Sequence, residues 1–207
     1  MYYGLSTPKN FCENEIVCSN LISVYNDLKI KFFSKEHRPN LKGVFIFVEN
    51  YNEFGINKRF LHSVSIKDKQ YYNSYPCVND ITSIVCTSKC DVNSNENICC
   101  TKSQRRAICY YRLARIHWIS EIIQLANNND INIKIWSKLF TDRTTGQQNI
   151  RKRFVWYKNG LANFVIIFEE KYRNEKLYCL KFVTAYPVFG RRAQDGFLND
   201  YQIFCNK

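Results

Sequence analysis

Side chains able to transfer protons or bind phosphate lie within aromatic and apolar segments of this sequence. They are His62, Arg112, Arg115, His117, Arg151, Lys152, Arg153, Thr184 and Tyr186. These residue types suffice for metal-free cleavage of RNA. In that reaction the ribose 2′-OH attacks phosphorus, one group accepts its proton, another protonates the leaving oxygen, and cations stabilise the phosphorane. The sequence contains no GxGxxG, P-loop, GxSxG or HExxH motif that would favour another familiar chemistry.

Metal-dependent nuclease chemistry is disfavoured by the distribution of acidic residues. Asp and Glu number 18 against 30 Lys and Arg, and none pairs with a histidine at the spacing of metal ligands. A two-metal nuclease needs several acidic ligands close together. We therefore expect neither a catalytic metal nor a cofactor.

The histidines each have two interpretations. His62 lies mid-strand on an apolar face if residues 60–66 (FLHSVSI) form a strand, as a buried core histidine would. Imidazole also titrates near neutral pH, which suits a general base or acid. His117 stands four residues before Glu121, so a surface pair on a helix is its simpler role. We rank His117 below His62, as a substrate-binding residue.

The arginines are also open to two interpretations. Arg112 and Arg115 lie in or beside the apolar arc of a predicted helix, where they either anchor a carbonyl or carboxylate or bind the scissile phosphate. Arg151 and Arg153 share one strand face, about 7 Å apart. That spacing suits contacts along a phosphate backbone, and it equally suits a solvated sheet face.

Thr184 and Tyr186 share a face of the last predicted strand with Leu180 and Phe182. Threonine is a good strand former, so a purely structural role is open. The functional interpretation gives Thr184 a hydrogen bond to a phosphoryl oxygen and Tyr186 either base stacking or proton donation. The predicted catalytic set is His62, Arg115, Arg153, Thr184 and Tyr186, and the predicted substrate-binding set is Arg112, His117, Arg151 and Lys152.

The charge favours an anionic partner. The net charge is +12 and the pI is near 9.2, and nucleic acid is the commonest partner of such chains. Basic residues alternate with Tyr and Trp, which is typical of contacts to RNA or single strands, although a solvated basic surface gives the same composition. The start, MYYGLSTPKN, lacks signal-peptide features and the apolar runs are too short for a membrane span, so we expect a cytoplasmic protein.

Ten cysteines require an account. Cys86 and Cys90, followed by Cys99 and Cys100, could supply four thiolates to a structural zinc ion. Adjacent cysteines seldom share one tetrahedral metal, and no CxxC pair is present. Disulfides are the second alternative, and reduced thiols are favoured over both because a cytoplasmic compartment is reducing.

The hydrophobic pattern predicts an α+β fold. Helices are predicted over residues 11–30, 77–86, 103–126 and 195–204, and strands over 43–49, 60–66, 131–136, 151–157, 161–169 and 176–186. Residues 91–97 are predicted to be a loop. Turns at Asn159-Gly160 and at residues 171–175 predict an antiparallel meander, with the helices packed on the sheet.

Four runs stand in the order CYYRLARIHWISEII (109–123), RKRFVWY (151–157), FVIIFEE (164–170) and LKFVTAYPV (180–188). In this order they resemble a group of phage-associated nucleases in the barnase–EndoU–colicin–RelE-like superfamily. Residues 60–66, FLHSVSI, are similar to the FLHLTG strand of that group, with Ser-Val-Ser in place of Leu-Thr-Gly. The resemblance spans about residues 43–204 and implies a small α+β domain with helices packed on an antiparallel sheet.

The resemblance also implies a function. It indicates a metal-independent endoribonuclease, often a toxin, encoded by a phage or another mobile element and acting on cellular RNA. Residues 43–207 would form the nuclease-like domain and residues 1–42 an N-terminal helical extension. RNA is the expected partner, together with a cognate antitoxin or immunity protein. The alternatives are a nucleic-acid-binding protein without catalysis and an accessory protein that binds a host protein.

Overall fold

The structure is a computed structural model that describes residues 3–9, 17–34, 36–37, 39–53, 55–67, 98–101, 104–141, 146, 150–160 and 162–206. Within these ranges the α-helices are α1 (Val17–Leu28), α2 (Lys58–Val64), α3 (Tyr110–Leu113), α4 (Trp118–Asn127) and α5 (Arg191–Cys205). A π-helical turn over Lys29–Phe33 continues α1.

The strands form three sheets. They are β1 (Asn40–Leu41), β2 (Val44–Phe47), β3 (Asn52–Glu53), β4 (Ile56–Asn57), β5 (Ser65–Lys67), β6 (Ile98–Thr101), β7 (Gln104–Ile108), β8 (Ile133–Phe140), β9 (Ile150–Asn159), β10 (Ala162–Arg173) and β11 (Lys176–Pro187). The main sheet has the order β1-β2-β11-β10-β9-β8. The two smaller sheets are β3-β4 and β5-β7-β6.

The predicted meander is present as β8 to β11, which pair antiparallel with their sequence neighbours. Asn159 pairs with Ala162, so the first tight turn begins at Gly160, one residue later than expected. Asn174 and Glu175, both at positive φ, form the second turn. Short turns of this kind force adjacent strands to run in opposite directions.

The main sheet is mixed, so the prediction of a wholly antiparallel sheet is wrong. β2 runs parallel to β11, with Leu180 opposite Ile46. No hairpin joins these two strands, because the chain between them contains strands β3 to β10 and helices α2, α3 and α4. Their relative direction is therefore not set by a turn.

Both faces of the main sheet are covered. On the inner face, residues of α1, α2 and α4 pack on Val155, Phe164, Ile166 and Phe168 in one core cluster. On the outer face, Phe197 and Tyr201 of α5 pack on a smaller cluster around Trp136 and Trp156. Alternate residues of each strand therefore belong to different cores.

A bulge in β11 changes which face its residues occupy. Phe168 pairs with Phe182 and Ile167 pairs with Thr184, so Val183 is the extra residue. Phe182 belongs to the inner core, whereas Thr184 lies opposite Ile167, a residue of the outer cluster. The prediction that Thr184 and Tyr186 share the face of Leu180 and Phe182 is therefore wrong.

Two predicted elements differ from the structure. Residues 58–64 form helix α2 rather than a strand, because the Asn57 side chain caps the helix by accepting a hydrogen bond from the Arg59 backbone N–H at 2.9 Å. The predicted helix over 103–126 is instead β7, α3, a turn and α4. Its first part is extended because β7 pairs with both β5 and β6.

The remaining predicted elements agree with the structure or lie outside it. The strand predicted at 43–49 is β2, although Phe45 and Phe47 on it are exposed. The first helix is α1 and the last is α5. The helix predicted at 77–86 and the loop at 91–97 lie outside the described residues.

Candidate functional site

A carboxylate, an arginine, a serine and a tyrosine meet on the inner face of the main sheet. The buried Glu170 carboxylate accepts hydrogen bonds from Arg153 Nε at 2.8 Å, from the Tyr172 hydroxyl at 2.6 Å and from the Ser137 hydroxyl. A buried charge is tolerated only when it is paired and hydrogen-bonded, as this one is. The cluster is therefore a polar extension of the inner core.

Strand alternation brings these side chains together. Glu170 follows Phe164, Ile166 and Phe168 on the inner face of β10. Arg153 of β9 lies opposite both Phe168 of β10 and Ser137 of β8, and Phe168 is two residues from Glu170 on the same face of β10. The β9–β10 turn fixes this register.

A second arginine lies at the open side of the cluster. Arg151 Nε is 3.9 Å from Glu170 Oε2, and its Nη1 donates to the Tyr172 hydroxyl at 3.5 Å. Its guanidinium is 5.8 Å from the centre of the Tyr172 ring. The Arg151 side chain is 48% exposed, against 21% for Arg153. Arg151 is thus the cation available to a ligand, and Arg153 is the one that holds Glu170.

The electrostatics keep Glu170 ionised and Tyr172 protonated. Burial raises the pKa of the Glu170 carboxyl, but the hydrogen bonds from Ser137 and Tyr172 and the charge of Arg153 outweigh it, so this pKa lies below its ordinary value. Burial and the neighbouring Glu170 carboxylate raise the pKa of Tyr172, against the opposing effect of Arg151. At neutral pH the pair is a carboxylate that accepts a hydrogen bond from a phenol.

The cluster opens into a groove of about 610 Å³. It is lined by Leu139, Ile150, Arg151, Glu169, Glu170, Lys171, Tyr172 and Glu175. Such a volume admits a ligand of the size of a nucleotide. Glu170 forms part of the wall, but its side chain is only 1% exposed, so a ligand reaches this carboxylate only when the Tyr172 hydroxyl moves aside.

The site residues predicted from the sequence lie in separate parts of the structure. Arg151 and Arg153 lie in the Glu170 cluster, whereas Lys152, between them, points to the outer face. Tyr186 pairs with Val165, three residues of β10 from the partner of Arg153, which is about 10 Å along the strand. Its side chain packs on the outer cluster.

Arg112 and Tyr186 form a second grouping. Arg112 Nη1 donates to the Ser65 backbone oxygen at 2.9 Å, and its guanidinium is 5.8 Å from the centre of the Tyr186 ring. Burial raises the pKa of Tyr186, and Arg112 opposes that rise. Thr184 is only 8% exposed. These contacts correspond to the anchoring role that the sequence left open for Arg112.

Arg115 is a core residue. It is 1% exposed, and its guanidinium lies 3.5 Å from the centre of the Tyr111 ring and 5.5 Å from that of Trp118. Its Nη1 donates to the Tyr111 backbone oxygen at 3.2 Å. Of its two predicted roles, this geometry corresponds to the structural anchor.

The two histidines exchange their expected environments. His62, expected on an apolar strand face, is exposed on α2. His117, expected at the surface, is half-buried beside a cavity of about 400 Å³ whose walls include Lys9, Lys31 and Glu121. Burial lowers the pKa of His117, with Lys9 and Lys31 acting in the same direction and Glu121 and the Thr7 backbone opposing.

Metal ligation finds no support among the described residues, which contain no group of three or more His, Cys, Asp or Glu side chains arranged to hold an ion. The side chains of Cys86, Cys90, Cys99 and Cys100 lie outside those described. The zinc and disulfide alternatives for these four cysteines therefore stay predictions.

The sequence reasoning missed Ser137, Glu170 and Tyr172. A signal for Glu170 was present, because it continues the alternation of Phe164, Ile166 and Phe168 and so places a carboxylate in phase with a buried face. The register that brings Arg151 and Arg153 beside it requires the turn to begin at Gly160, one residue later than the sequence predicted.

Comparison of the chain with protein-family models, with curated proteins and with solved structures finds no match. The fold and the site therefore define a class only: an α+β protein with a mixed sheet and a carboxylate–arginine–tyrosine groove. Within the described part of the chain, no helix has the length and apolar character needed to cross a membrane.

Proposed function

We propose that this protein is a metal-independent endoribonuclease whose active site is the groove around Glu170. The observation that carries the proposal is the meeting of an ionised buried carboxylate, two arginines and a phenol in one open groove. Cleavage through the 2′-OH requires a proton acceptor, a proton donor and a cation. Glu170, Tyr172 and Arg151 supply these three groups.

Glu170 is the general base of this reaction. Its low pKa keeps it charged at neutral pH, so it can accept the proton of the 2′-OH as that oxygen attacks phosphorus. Arg151 is half-exposed and faces the groove, where its guanidinium stabilises the charge that develops on the phosphorane. Arg153 positions Glu170 through its 2.8 Å hydrogen bond.

Tyr172 is the general acid. Its raised pKa keeps the hydroxyl protonated, and this proton passes to the 5′ oxygen as the bond from phosphorus to that oxygen breaks. When the product leaves, the Tyr172 oxygen returns to Glu170 and takes up the proton that Glu170 received from the 2′-OH, which re-forms the 2.6 Å hydrogen bond of the free protein. The net result moves one proton from the 2′ oxygen to the 5′ oxygen and leaves a 2′,3′-cyclic phosphate and a 5′-hydroxyl.

The resemblance of the sequence to phage-associated nucleases extends the proposal to a biological role. A toxin from a phage or another mobile element, acting on cellular RNA in the cytoplasm, fits a chain with a net charge of +12. A cognate antitoxin or immunity protein would then be its protein partner. Growth arrest on expression, with sequencing of the cleaved RNA ends, tests this role.

The catalytic proposal is tested by incubating labelled RNA with the protein in EDTA. We expect cleavage, with cyclic phosphate ends, and inertness of a substrate carrying a 2′-deoxy residue at the cleaved position. Glu170→Gln should lose about 10²–10⁴ in rate. Glu175→Gln is the matched control, because Glu175 lines the same groove but is exposed. Equal rates for the two variants, or cleavage only with added Mg²⁺, would exclude the mechanism.

His62→Ala separates the site proposed here from the one predicted by sequence. His62 is exposed, so its removal should leave the melting temperature unchanged. If Glu170 is the base, His62→Ala retains most of the cleavage rate. A loss of 10² or more, in a well-folded His62→Ala protein, would move the active site to α2.

A second candidate function is nucleic-acid binding without catalysis. One observation favours it: both Glu170 oxygens already accept hydrogen bonds within the protein. Binding of the 2′-OH must displace the Tyr172 hydroxyl, whose side chain lies at the exposed rim. Tight RNA binding with intact RNA recovered after long incubation would support this candidate over the endoribonuclease.

A further inference from the structure

The outer face of the main sheet carries a row of charged residues directly behind the Glu170 groove. Lys138, Lys152, Glu169 and Lys181 face one another in register across β8, β9, β10 and β11. Lys138 and Lys152 are therefore neighbouring like charges, an arrangement that destabilises a sheet unless an anion compensates it. The row calls for an explanation beyond folding.

Most cations of this row have a carboxylate partner. Lys138 Nζ is 2.7 Å from Asp200 Oδ1, and Lys181 pairs with Glu49 at 2.5 Å. Glu169 accepts a hydrogen bond from the Lys171 ammonium group. Lys152 differs: among the residues the structure describes, no carboxylate lies within ion-pair distance of it. Its ammonium group is 5.0 Å from the centre of the Phe140 ring. The Lys152 residue is half-exposed and lies beside β8, the edge strand of the described sheet.

Lys152 follows Arg151 in the chain, and the two side chains point to opposite faces of β9. Arg151 faces the groove and Lys152 faces the outer row. A polyanion that contacts both must therefore pass round an edge of the sheet, and β8 is the strand that borders β9 on its outer side in the described sheet. A flexible single strand can follow such a path, whereas a duplex is too stiff to bend round a single sheet.

We propose that a single-stranded RNA binds round the β8 border, with one phosphate on Lys152 at the outer face and another on Arg151 at the inner face. This inference rests on the proposed function in taking RNA as the ligand, and it adds that the substrate is single-stranded. The phosphate gives Lys152 the ionic partner that Lys138 and Lys181 already have.

The test uses binding of a short 2′-O-methyl RNA, which cannot be cleaved, to the full chain with Lys152→Gln, and with Lys29→Gln as control. Lys29 is an exposed lysine on the π-helical turn. Lys152→Gln should weaken binding severalfold and reduce the slope of log K against log salt by about 0.7, the value of one single-strand phosphate contact. Lys29→Gln should change neither.

Two further measurements decide the outcome. Removing one of two facing lysines should leave the melting temperature equal or higher, so weaker binding cannot be ascribed to unfolding. The duplex form of the same RNA should bind more weakly than the single strand and be insensitive to Lys152→Gln. Unchanged single-strand binding by Lys152→Gln, equal losses for the duplex, or equal displacement of the RNA by poly-L-glutamate would each overturn the proposal.

This experiment is independent of catalysis. If Lys152→Gln weakens binding but the wild-type chain cleaves no RNA, the endoribonuclease proposal fails and the single-strand path stands. If RNA is cleaved but Lys152→Gln binds as the wild type does, the path fails and the catalytic groove stands.

Discussion

At the scale of single residues, Glu170 shows how a buried charge is made tolerable. Three donors on three strands, Ser137, Arg153 and Tyr172, compensate its loss of water. Removing one partner of such a cluster leaves the rest incompletely satisfied. The cluster is therefore both a stabilising element and the part of the sheet most suited to proton transfer.

Ser137→Ala tests how far the hydrogen bond from Ser137 stabilises the buried Glu170 carboxylate. Without the Ser137 hydrogen bond the pKa of Glu170 rises toward its ordinary value near 4.5. A carboxyl whose pKa is lowered in the folded state contributes stability above its unfolded pKa, and this contribution is lost as the pH falls through the folded pKa. We expect Ser137→Ala to melt lower than the wild type at pH 7, with a difference that shrinks below about pH 4.5. A difference that is constant down to pH 3 would show that the hydroxyl does not act through Glu170.

His117 also makes the protein less stable as the pH falls, but in a different pH window. Burial lowers its folded-state pKa below the ordinary value of 6.5. As the pH falls through 6.5 the unfolded chain takes up the proton first, so His117 makes the protein less stable from there down to its folded pKa. The neutral variant His117→Gln should therefore lose less stability than the wild type between pH 7 and pH 5. Parallel melting curves for the two proteins would contradict this.

At the scale of elements, the strands were more predictable than the helices. β9 and β10 each contain an uninterrupted run of buried residues, with Val155, Trp156, Val165 and Ile166 covered on both faces of the sheet, and such runs between turn signals predict strands. The segment FLHSVSI was ambiguous, since its apolar residues fit both a strand and a short helix. The deciding signal was local: Asn57 is a good helix cap.

The candidate site was predictable only in part, because the pattern within one strand does not show how neighbouring strands pair. Arg151 and Arg153 followed from strand alternation, but Glu170 was visible only once two strands were paired in register. Arg115 resembled a phosphate ligand by composition, and it is buried because Tyr111 and Trp118 cover its guanidinium. Burial of a side chain by residues of the same segment is not apparent from spacing alone.

The β9–β10 turn can be tested with a pair of glycines. Gly160 has φ +56°, and a methyl group there would meet no atom within 4 Å, so Gly160→Ala should destabilise through backbone strain alone, by about 1–2 kcal/mol. Gly196 lies within the exposed helix α5, and Gly196→Ala should stabilise by about 0.5–1 kcal/mol. Urea unfolding of the two variants measures both, and two shifts of the same sign would contradict this account of the turn.

At the scale of the whole molecule, the N-terminal helix and the sheet share one core. Leu21, Val24 and Leu28 of α1 and Phe32 of the following π-helical turn are buried in the same cluster as Phe164, Phe168 and Phe182 of the sheet. The Phe32 and Phe182 rings are 5.2 Å apart. Residues 1–42 were predicted to be an extension of a nuclease-like domain, and this shared core implies that the domain depends on them.

Leu28→Ala and Ile22→Ala in α1 measure this dependence. Leu28 is 2% exposed and packs in the shared core, whereas Ile22, on the same helix, is 50% exposed. Truncating Leu28 removes buried methyl groups and leaves a cavity, so its variant should lose about 2–5 kcal/mol of unfolding free energy. Ile22→Ala should lose far less, because much of its side chain already contacts water. The loss in Leu28→Ala should appear as one cooperative transition of the whole chain, followed by the fluorescence of the three buried tryptophans, Trp118, Trp136 and Trp156. A separate early transition that leaves the tryptophan signal unchanged would instead make residues 1–42 an independent extension.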